Sequence, residues 1–247
     1  MITRRTTLQW ALGAASGSVS RVFVLVHGSW HGGWCWREVE RRLRAEGHTV
    51  FAPTLTGLAE RAHLLAPAVN LSTHVTDVAR LIEVEELEKV TLVGHSYGGL
   101  VISHVAARVA PRLAERVYLD AFVPSSGQTG FEQLQAKYAE SWRKKTVDSR
   151  IPPMLSAAAM GVTEPARAAW VDRKLTPHPL GTYEERLEFD EAVVAKVPAR
   201  FIRCARYAGF GSVAERVRKL GWRVQEIDCG HDAMLAAPEE LTRALLG

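Results

Sequence analysis

Val90-Thr91-Leu92-Val93-Gly94-His95-Ser96-Tyr97-Gly98-Gly99-Leu100 is the stretch whose reading decides the fold. Its first residues are apolar and β-branched, as in a strand buried in a parallel sheet, and the run from Leu100 to Ala110 has helical spacing. Gly94 to Gly98 therefore falls on a strand-to-helix turn. A serine at the apex of such a turn is held in a backbone conformation that only small neighbours tolerate, which accounts for Gly94 and Gly98 two residues to either side. A bare G-x-S-x-G also occurs in ordinary glycine-rich turns. The strand before it and the helix after it make Ser96 a candidate nucleophile.

Upstream, Arg21 to Val26 reads as a continuous apolar strand running into His27-Gly28-Ser29-Trp30-His31-Gly32-Gly33-Trp34-Cys35-Trp36. Glycines let backbone N–H groups approach a ligand, so this loop is expected to form an oxyanion hole, with one N–H from Ser29 and the other from Tyr97, the residue after the nucleophile. His27 and His31 are read as packing and hydrogen-bonding residues of the loop. A metal site would want further ligands at defined spacing, and none is expected.

Further along, helices are expected at Trp36 to Glu46, stopped by Gly47, and at Ser72 to Leu87, with Asp77 facing solvent or an N-terminal turn. Strands are expected at His48 to Ala52 and at Val117 to Ala121. From about residue 124 to 196 the alternation of strand and helix breaks. Short helical runs (Phe131 to Lys144, Pro165 to Leu175) and proline turns fill this stretch, which is too long for a plain loop and is read as a helical cap inserted between two strands. The alternation resumes with a strand at Ala199 to Cys204, a helix at Ser212 to Leu220, a strand at Arg223 to Asp228 and a helix at Pro238 to Leu246. The pattern predicts an α/β fold, a doubly wound, mostly parallel sheet flanked by helices.

A serine hydroxyl needs a base, and the base needs an acid to orient it. His231, in a loop beyond the last expected strand and preceded by Gly230, is the candidate base. The usual place for the acid in such a fold is the loop after Ala199 to Cys204, yet Ala205-Arg206-Tyr207-Ala208-Gly209-Phe210-Gly211 contains no carboxylate. Asp120 fits instead. It ends the strand that follows the serine's helix, and a carboxylate buried in Val-Tyr-Leu-Asp-Ala-Phe-Val needs a hydrogen-bonding partner to offset its desolvation. Asp228 is expected to point away, and Asp232 would need a sharp reversal. Trp30, His95, Phe122 and Trp142 are candidate pocket residues; the apolar residues of the insertion (Phe131, Tyr138, Trp142, Met154, Met160, Trp170) line a pocket or form the insertion's own core.

At 247 residues, with 47% hydrophobic and 23% charged residues, the chain fits one large domain and neither a disordered nor a membrane class. The formal charge of +4 comes from basic residues scattered among acidic ones; the one tight cluster, Arg143-Lys144-Lys145, reads as a solvated helix face and not a nucleic-acid site. Cys35, Cys204 and Cys229 are odd in number, lack metal spacing and read as buried thiols. Residues 1–20 form an N-terminal arm or an export-signal-like segment, since Arg4-Arg5 and the small apolar run after Trp10 partly match a twin-arginine signal. A cytoplasmic location is the favoured expectation, and export is the alternative.

Residues 21–247 together resemble the α/β-hydrolase superfamily, and within it the group of plant methylesterases, hydroxynitrile lyases and small bacterial carboxylesterases. The resemblance rests on the His27 to Trp34 loop, Pro53-Thr54-Leu55-Thr56-Gly57-Leu58, the Ser96 turn, Tyr118 to Pro124 and Gly230-His231-Asp232-Ala233-Met234-Leu235. It implies hydrolysis of a small, hydrophobic ester without a cofactor, through an acyl-enzyme, with Ser96 as nucleophile, His231 as base and then acid, and Ser29 and Tyr97 as oxyanion donors. The plant enzymes of the group look to carry their acid in the loop after Cys204, where this chain has none; Asp120 is a position other α/β-hydrolases also use. The lyases of the group carry a lysine near the catalytic histidine, where this chain has Asp232. Lyase chemistry and non-catalytic ligand binding are the alternatives to ester hydrolysis. A small-molecule ester is the expected partner, with no nucleic acid and no membrane.

Overall fold

Strand periodicity dictates how the computed structural model, which describes residues 20–247, is layered. The export-signal-like reading of residues 1–20 therefore lies outside the described residues, apart from Ser20. In chain order the elements are β1 (Val22–Val26), α1 (Arg37–Ala45), β2 (Thr49–Phe51), α2 (Leu71–Val84), β3 (Val90–His95), α3 (Gly98–Val109) and β4 (Leu113–Leu119). The stretch from 124 to 196 holds α4 (Ala136–Lys145), β5 (Arg150–Ile151), α5 (Pro165–Asp172), β6 (His178–Pro179), α6 (Gly181–Glu184) and α7 (Glu191–Ala195). β7 (Ala199–Cys204), α8 (Gly211–Lys219), β8 (Arg223–Ile227), α9 (Ala233–Ala236) and α10 (Pro238–Leu246) complete the chain.

Six strands pair in parallel in the order β2-β1-β3-β4-β7-β8, while β5 and β6 form a separate antiparallel pair. Because side chains alternate across a strand, Val24, Val26 and Leu92 pack toward α2 and α3, and Phe23, Leu25 and Val93 pack toward α1 and α10. Both faces of the sheet are thereby covered, as the continuous apolar runs require. No helix among the described residues is long and apolar enough to cross a membrane.

Local chemistry moves several boundaries from their expected places. Gly33–Trp36 forms a 3-10 turn, so α1 starts one residue later than its sequence reading. Asn70 caps α2 with a reciprocal Thr73 bond, which starts that helix at Leu71. β4 begins four residues before Val117 and stops before Asp120, whose φ of 42° breaks the strand. The helical run expected from Phe131 splits into a short turn and α4.

The 124–196 stretch is tied to the sheet-bearing body by specific bonds. Trp30 Nε1 donates to Ile151 O (3.2 Å) and Thr176 N to Trp30 O (3.0 Å). Glu185 accepts from Ser72 N (2.6 Å) and Ser72 Oγ (2.7 Å), placing its carboxylate against the positive end of the α2 dipole.

The turn between β3 and α3 explains its glycines by contact. A Cβ at Gly94 would lie 2.6 Å from Gly98 O, one at Gly98 2.8 Å from Val26 O, and one at Gly99 2.1 Å from Phe122 O. The last of these holds the chain after β4 against the serine's helix. Gly99→Ala is expected to lower stability by about 3 kcal/mol, since backbone on both sides leaves no room to repack; urea unfolding measures this, and an unchanged midpoint would contradict the close approach.

Candidate active site

Ser96 sits between β3 and α3 with φ of 53°, a left-handed conformation that a non-glycine residue adopts only when its surroundings enforce it. Here they do: Ser96 N donates to Leu119 O (3.2 Å), while Ser96 O accepts from Gly99 N and Phe122 N, both at 3.1 Å. Asp120 is likewise left-handed and is pinned by its N–H donating to Ile202 O (2.7 Å). Both residues lie at carboxyl ends of adjacent strands.

His231, in the loop after β8, reaches Asp120 directly: its Nδ1 donates to Asp120 Oδ2 at 2.7 Å. The other oxygen, Oδ1, accepts from Cys204 N at 3.2 Å. Burial pushes the fully enclosed Asp120 carboxyl above its ordinary range, and these two donors pull back toward the ionised form. With Nδ1 donating to the carboxylate, Nε2 is the basic nitrogen. The backbone carbonyl of His231 is held too, accepting from His95 Nε2 (3.0 Å) and from Cys204 Sγ (3.7 Å). The carboxylate-free loop after β7 supplies rings instead of an acid: Tyr207 stacks on the His231 imidazole with centroids 4.5 Å apart and 27° between planes, and Phe210 lies 5.4 Å away at 12°.

Of the two residues expected to donate to an oxyanion, Ser29 lies in the loop after β1 and Tyr97 in the turn after β3. The backbone N–H groups of Ser29 and Tyr97 have no acceptor among the described residues. Around them four histidines act as neutral struts. His27 Nδ1 donates to Gly28 O (2.8 Å) while its Nε2 accepts from Leu55 N (3.1 Å). His178 Nδ1 accepts from Trp30 N (3.4 Å) and its Nε2 donates to Thr182 Oγ1 (2.8 Å). His74 Nε2 donates to Thr56 O (2.8 Å), so its Nδ1 accepts from the Tyr97 hydroxyl (2.9 Å). Burial lowers His27 to about 3 and His74 to about 4, and holds His95 and His178 well below the usual histidine range. Asp77, expected at solvent or in an N-terminal turn, instead accepts from Thr56 N (2.7 Å) and Thr56 Oγ1 (2.9 Å) and steadies the segment that holds His74.

His31 differs from these four. Its Nδ1 donates to Ser29 O (2.8 Å) and its Nε2 lies 3.2 Å from Asp232 Oδ2, with both side chains enclosed. Burial is the largest influence and lowers its pKa, but the Asp232 carboxylate and the Ser29 carbonyl together outweigh it and raise the pKa, while His31, with His95 and His231, holds the buried Asp232 carboxyl below its ordinary value.

Ser29, Trp30, His95, Ser96, Phe122, Trp142 and His231 line one cavity of about 160 Å³. Asp120 and Tyr97 stand behind it. Of the insertion's other apolar residues, Tyr138 and Met160 reach the cavity, whereas Phe131 packs on Tyr183, Trp170 meets the edge of Trp34, and Met154 packs against the core. Tyr183, Tyr207 and Phe210 were not singled out from the sequence and line it as well. For Tyr207 and Phe210 the available signal was their place in the loop where an acid was sought. Tyr183 had none. The three cysteines are free and buried, and α4 ends in exposed basic residues, with Lys144 paired to Glu140.

A parallel sheet that presents a serine on a strained strand-to-helix turn, with a carboxylate-bound histidine beyond its last strand, defines a hydrolase-type α/β protein. The chain belongs to the Alpha/beta hydrolase family, whose sequence profile matches residues 23–244. It is 40% identical over 245 residues to the carbendazim hydrolyzing esterase of Nocardioides sp. (strain SG-4G), covering 90% of this chain and 97% of that one. It is also 25% identical to methylesterase 3 of Arabidopsis thaliana, covering 90% and 94% of the two chains. Among solved structures, an extracellular α/β-hydrolase from a Paenibacillus species, described as sharing structural and functional homology with tobacco salicylic acid binding protein 2, superposes with a TM-score of 0.81 at 24% identity, covering 92% of this chain and 98% of that one. The expected fold and the expected methylesterase-like relatives are the ones found.

The buried neutral histidines set how stability responds to acid. In the unfolded chain each titrates near 6.5, whereas His27 and His74 stay neutral in the fold down to about 3 and about 4. Between those values the unfolded chain binds more protons, so stability falls as pH falls, by up to about 1.4 kcal/mol per pH unit for each such histidine. Urea midpoints at pH 7.5, 6 and 5 should decline steeply; midpoints flat across that range would show that these rings are not held neutral.

Proposed function

We propose that the protein is a serine carboxylesterase acting on a small apolar ester through an acyl-enzyme, with Ser96 as nucleophile, His231 as base and Asp120 as its orienting acid. The observation that carries this reading is the 2.7 Å bond between His231 and Asp120 at a cavity lined by both Ser96 and His231. As Ser96 Oγ forms its bond to the ester carbonyl carbon, its proton passes to His231 Nε2, and the developing oxyanion is met by the N–H groups of Ser29 and Tyr97, each worth roughly 3 kcal/mol of barrier lowering. His231 then gives that proton to the departing alcohol. Water, deprotonated by the same nitrogen, attacks the acyl-enzyme; the acyl–Oγ bond breaks, the acid leaves and the proton returns from His231 to Ser96 Oγ.

Cavity size bears on the substrate. About 160 Å³ is the room needed by one benzene-sized ring, and Trp30, Phe122, Trp142 and Phe210 give it apolar walls. The 124–196 stretch acts in this reading as a cap: Tyr138, Trp142 and Met160 close the cavity above the serine and set which acyl or alkoxy group fits. Carbendazim, named for the Nocardioides relative, and methyl esters, named for the plant relatives, are the first substrates to try. Among the described residues no lysine lines the cavity, which gives the cyanide-releasing lyase reading no support.

The test is hydrolysis of a short-chain chromogenic ester by wild type, Ser96→Ala and Asp120→Asn, with folding checked by circular dichroism. Wild type should turn over, Ser96→Ala should lose the chemistry, and Asp120→Asn should fall about 10⁴-fold in kcat because the imidazole loses its tautomer and its orientation. A folded Asp120→Asn enzyme of near wild-type rate would move the acid elsewhere, and an active Ser96→Ala enzyme would remove the nucleophile from this reading.

A further inference from the structure

Asp232 is the buried group that the proposed reaction does not use. Its carboxylate is fully enclosed, and neither oxygen takes an aligned hydrogen bond from the described residues, in contrast to Asp120, whose two oxygens each accept one. An ionised carboxylate cannot be left so without a cation in contact. Among the titratable groups around it, from four parts of the chain, are His31, His95, His231 and Tyr207 and the thiols of Cys35 and Cys204. His31 Nε2 comes closest among the basic side chains, at 3.2 Å, while His95 Nε2 is 3.9 Å away and already donates to His231 O.

The other end of the His31 ring gives the pair its use. Nδ1 donates to the carbonyl of Ser29 at 2.8 Å. A neutral imidazole that donates from Nδ1 to Ser29 carries no proton on Nε2; only the charged ring bonds Ser29 and still sets a positive N–H beside Asp232 Oδ2, as an ion pair at 3.2 Å without an aligned hydrogen bond. The ring is also stacked on Trp34, with centroids 5.4 Å apart and 28° between planes, which fixes its orientation. Ser29 is the residue whose N–H faces the oxyanion in the reading above, and Asp232 is joined by one peptide bond to His231.

We propose that His31 and Asp232 form a second histidine–carboxylate pair whose job is to hold the oxyanion loop in register with the catalytic histidine. The pair rests on the esterase reading of Ser96 and supplies what that reading lacks, a direct link between the loop after β1 and the loop after β8. His95 makes the matching link from the serine's own turn to the His231 carbonyl. Asp232 N donates to Met160 O (2.9 Å), and Gly230 lies so close to Gly161 that a Cβ there would be 2.4 Å from its Cα, so the histidine loop is fixed on its other side. Of the two, His31 is part of the cavity lining and Asp232 is not; both act through Ser29 and His231, as positioning residues.

The experiment compares His31→Gln, Asp232→Asn and the double variant, reading ester turnover and, independently of any ester, the rate at which a fluorophosphonate phosphonylates Ser96 with loss of fluoride. Each single variant should lower kcat and the labelling rate about 10- to 100-fold with KM little changed. The double variant should be no slower than the slower single, because both substitutions break one link. A positional change alone would not move titration. In His31→Gln the carboxylate is left without its cation beside His231, so the acid limb of kcat/KM shifts to higher pH. Adding Asp232→Asn removes that charge and returns the limb to its wild-type place.

Wild-type rates in the folded single variants, multiplying losses in the double variant, or an unmoved acid limb in His31→Gln would each overturn the pair. If the singles do not fold, the double variant decides alone: reduced kcat and labelling support the pair, unchanged values overturn it. Wild-type protein that neither turns over ester nor labels at Ser96 would instead overturn the reading of Ser96 itself.

Discussion

The bond between His231 Nδ1 and Asp120 Oδ2 spans the carboxyl ends of strands that are not neighbours: β7 lies between β4 and β8. It is possible because Asp120 turns out of β4 in a left-handed conformation and because the end of β7 gives its Cys204 N–H to the same carboxylate. One side chain thus gathers three strand ends. The strained serine turn is bolted to the same place, since Ser96 N donates to Leu119 O and Ser96 O accepts from Phe122 N, on either side of Asp120. Disturbing the sheet order would dissolve the site, whereas disturbing the outer helices need not.

What could be read from the sequence follows from how local each signal is. The strands and the serine turn announce themselves through contiguous residues, apolar runs and glycines that a Cβ would drive into backbone. Asp120 was legible by elimination, because the loop after Cys204 has no carboxylate and a buried acid needs a reason. Asp77 and Asp232 were not legible. The partners that define them, Thr56 for the one and His31 for the other, lie 21 residues away along the chain for Asp77 and on an opposite terminal loop for Asp232. Tyr207 and Phe210 were not legible either, because what gives them a place is stacking on an imidazole that arrives from the loop after β8. The insertion's apolar residues divide between cavity and core according to which way each short helix turns, and helical periodicity alone does not carry that information.

Histidine placement shows how one residue type does opposite work within a small volume. His27, His74 and His178 are neutral because burial removes the water a charge would need and offers each ring one donor and one acceptor. His31, equally buried, is pushed the other way by a carboxylate within 3.2 Å. The neutral rings behave as rigid amide-like spacers with a fixed tautomer. Such spacers hold the loop after β1 without placing positive charge where it would compete for the carboxylate that His231 binds.

The neighbourhood of β4 and β7 also has an evolutionary reading. The carboxylate that His231 binds comes from the end of β4, but the loop after β7 lies against the same imidazole, close enough for Tyr207 to stack on it. Two sites on adjacent strands can therefore present an acid to one histidine without any change in the backbone frame. A lineage could acquire the second carboxylate before losing the first and pass from one arrangement to the other with no inactive ancestor between. With the carboxylate at the end of β4, the loop after β7 is left to line the cavity, through Tyr207, Gly209 and Phe210.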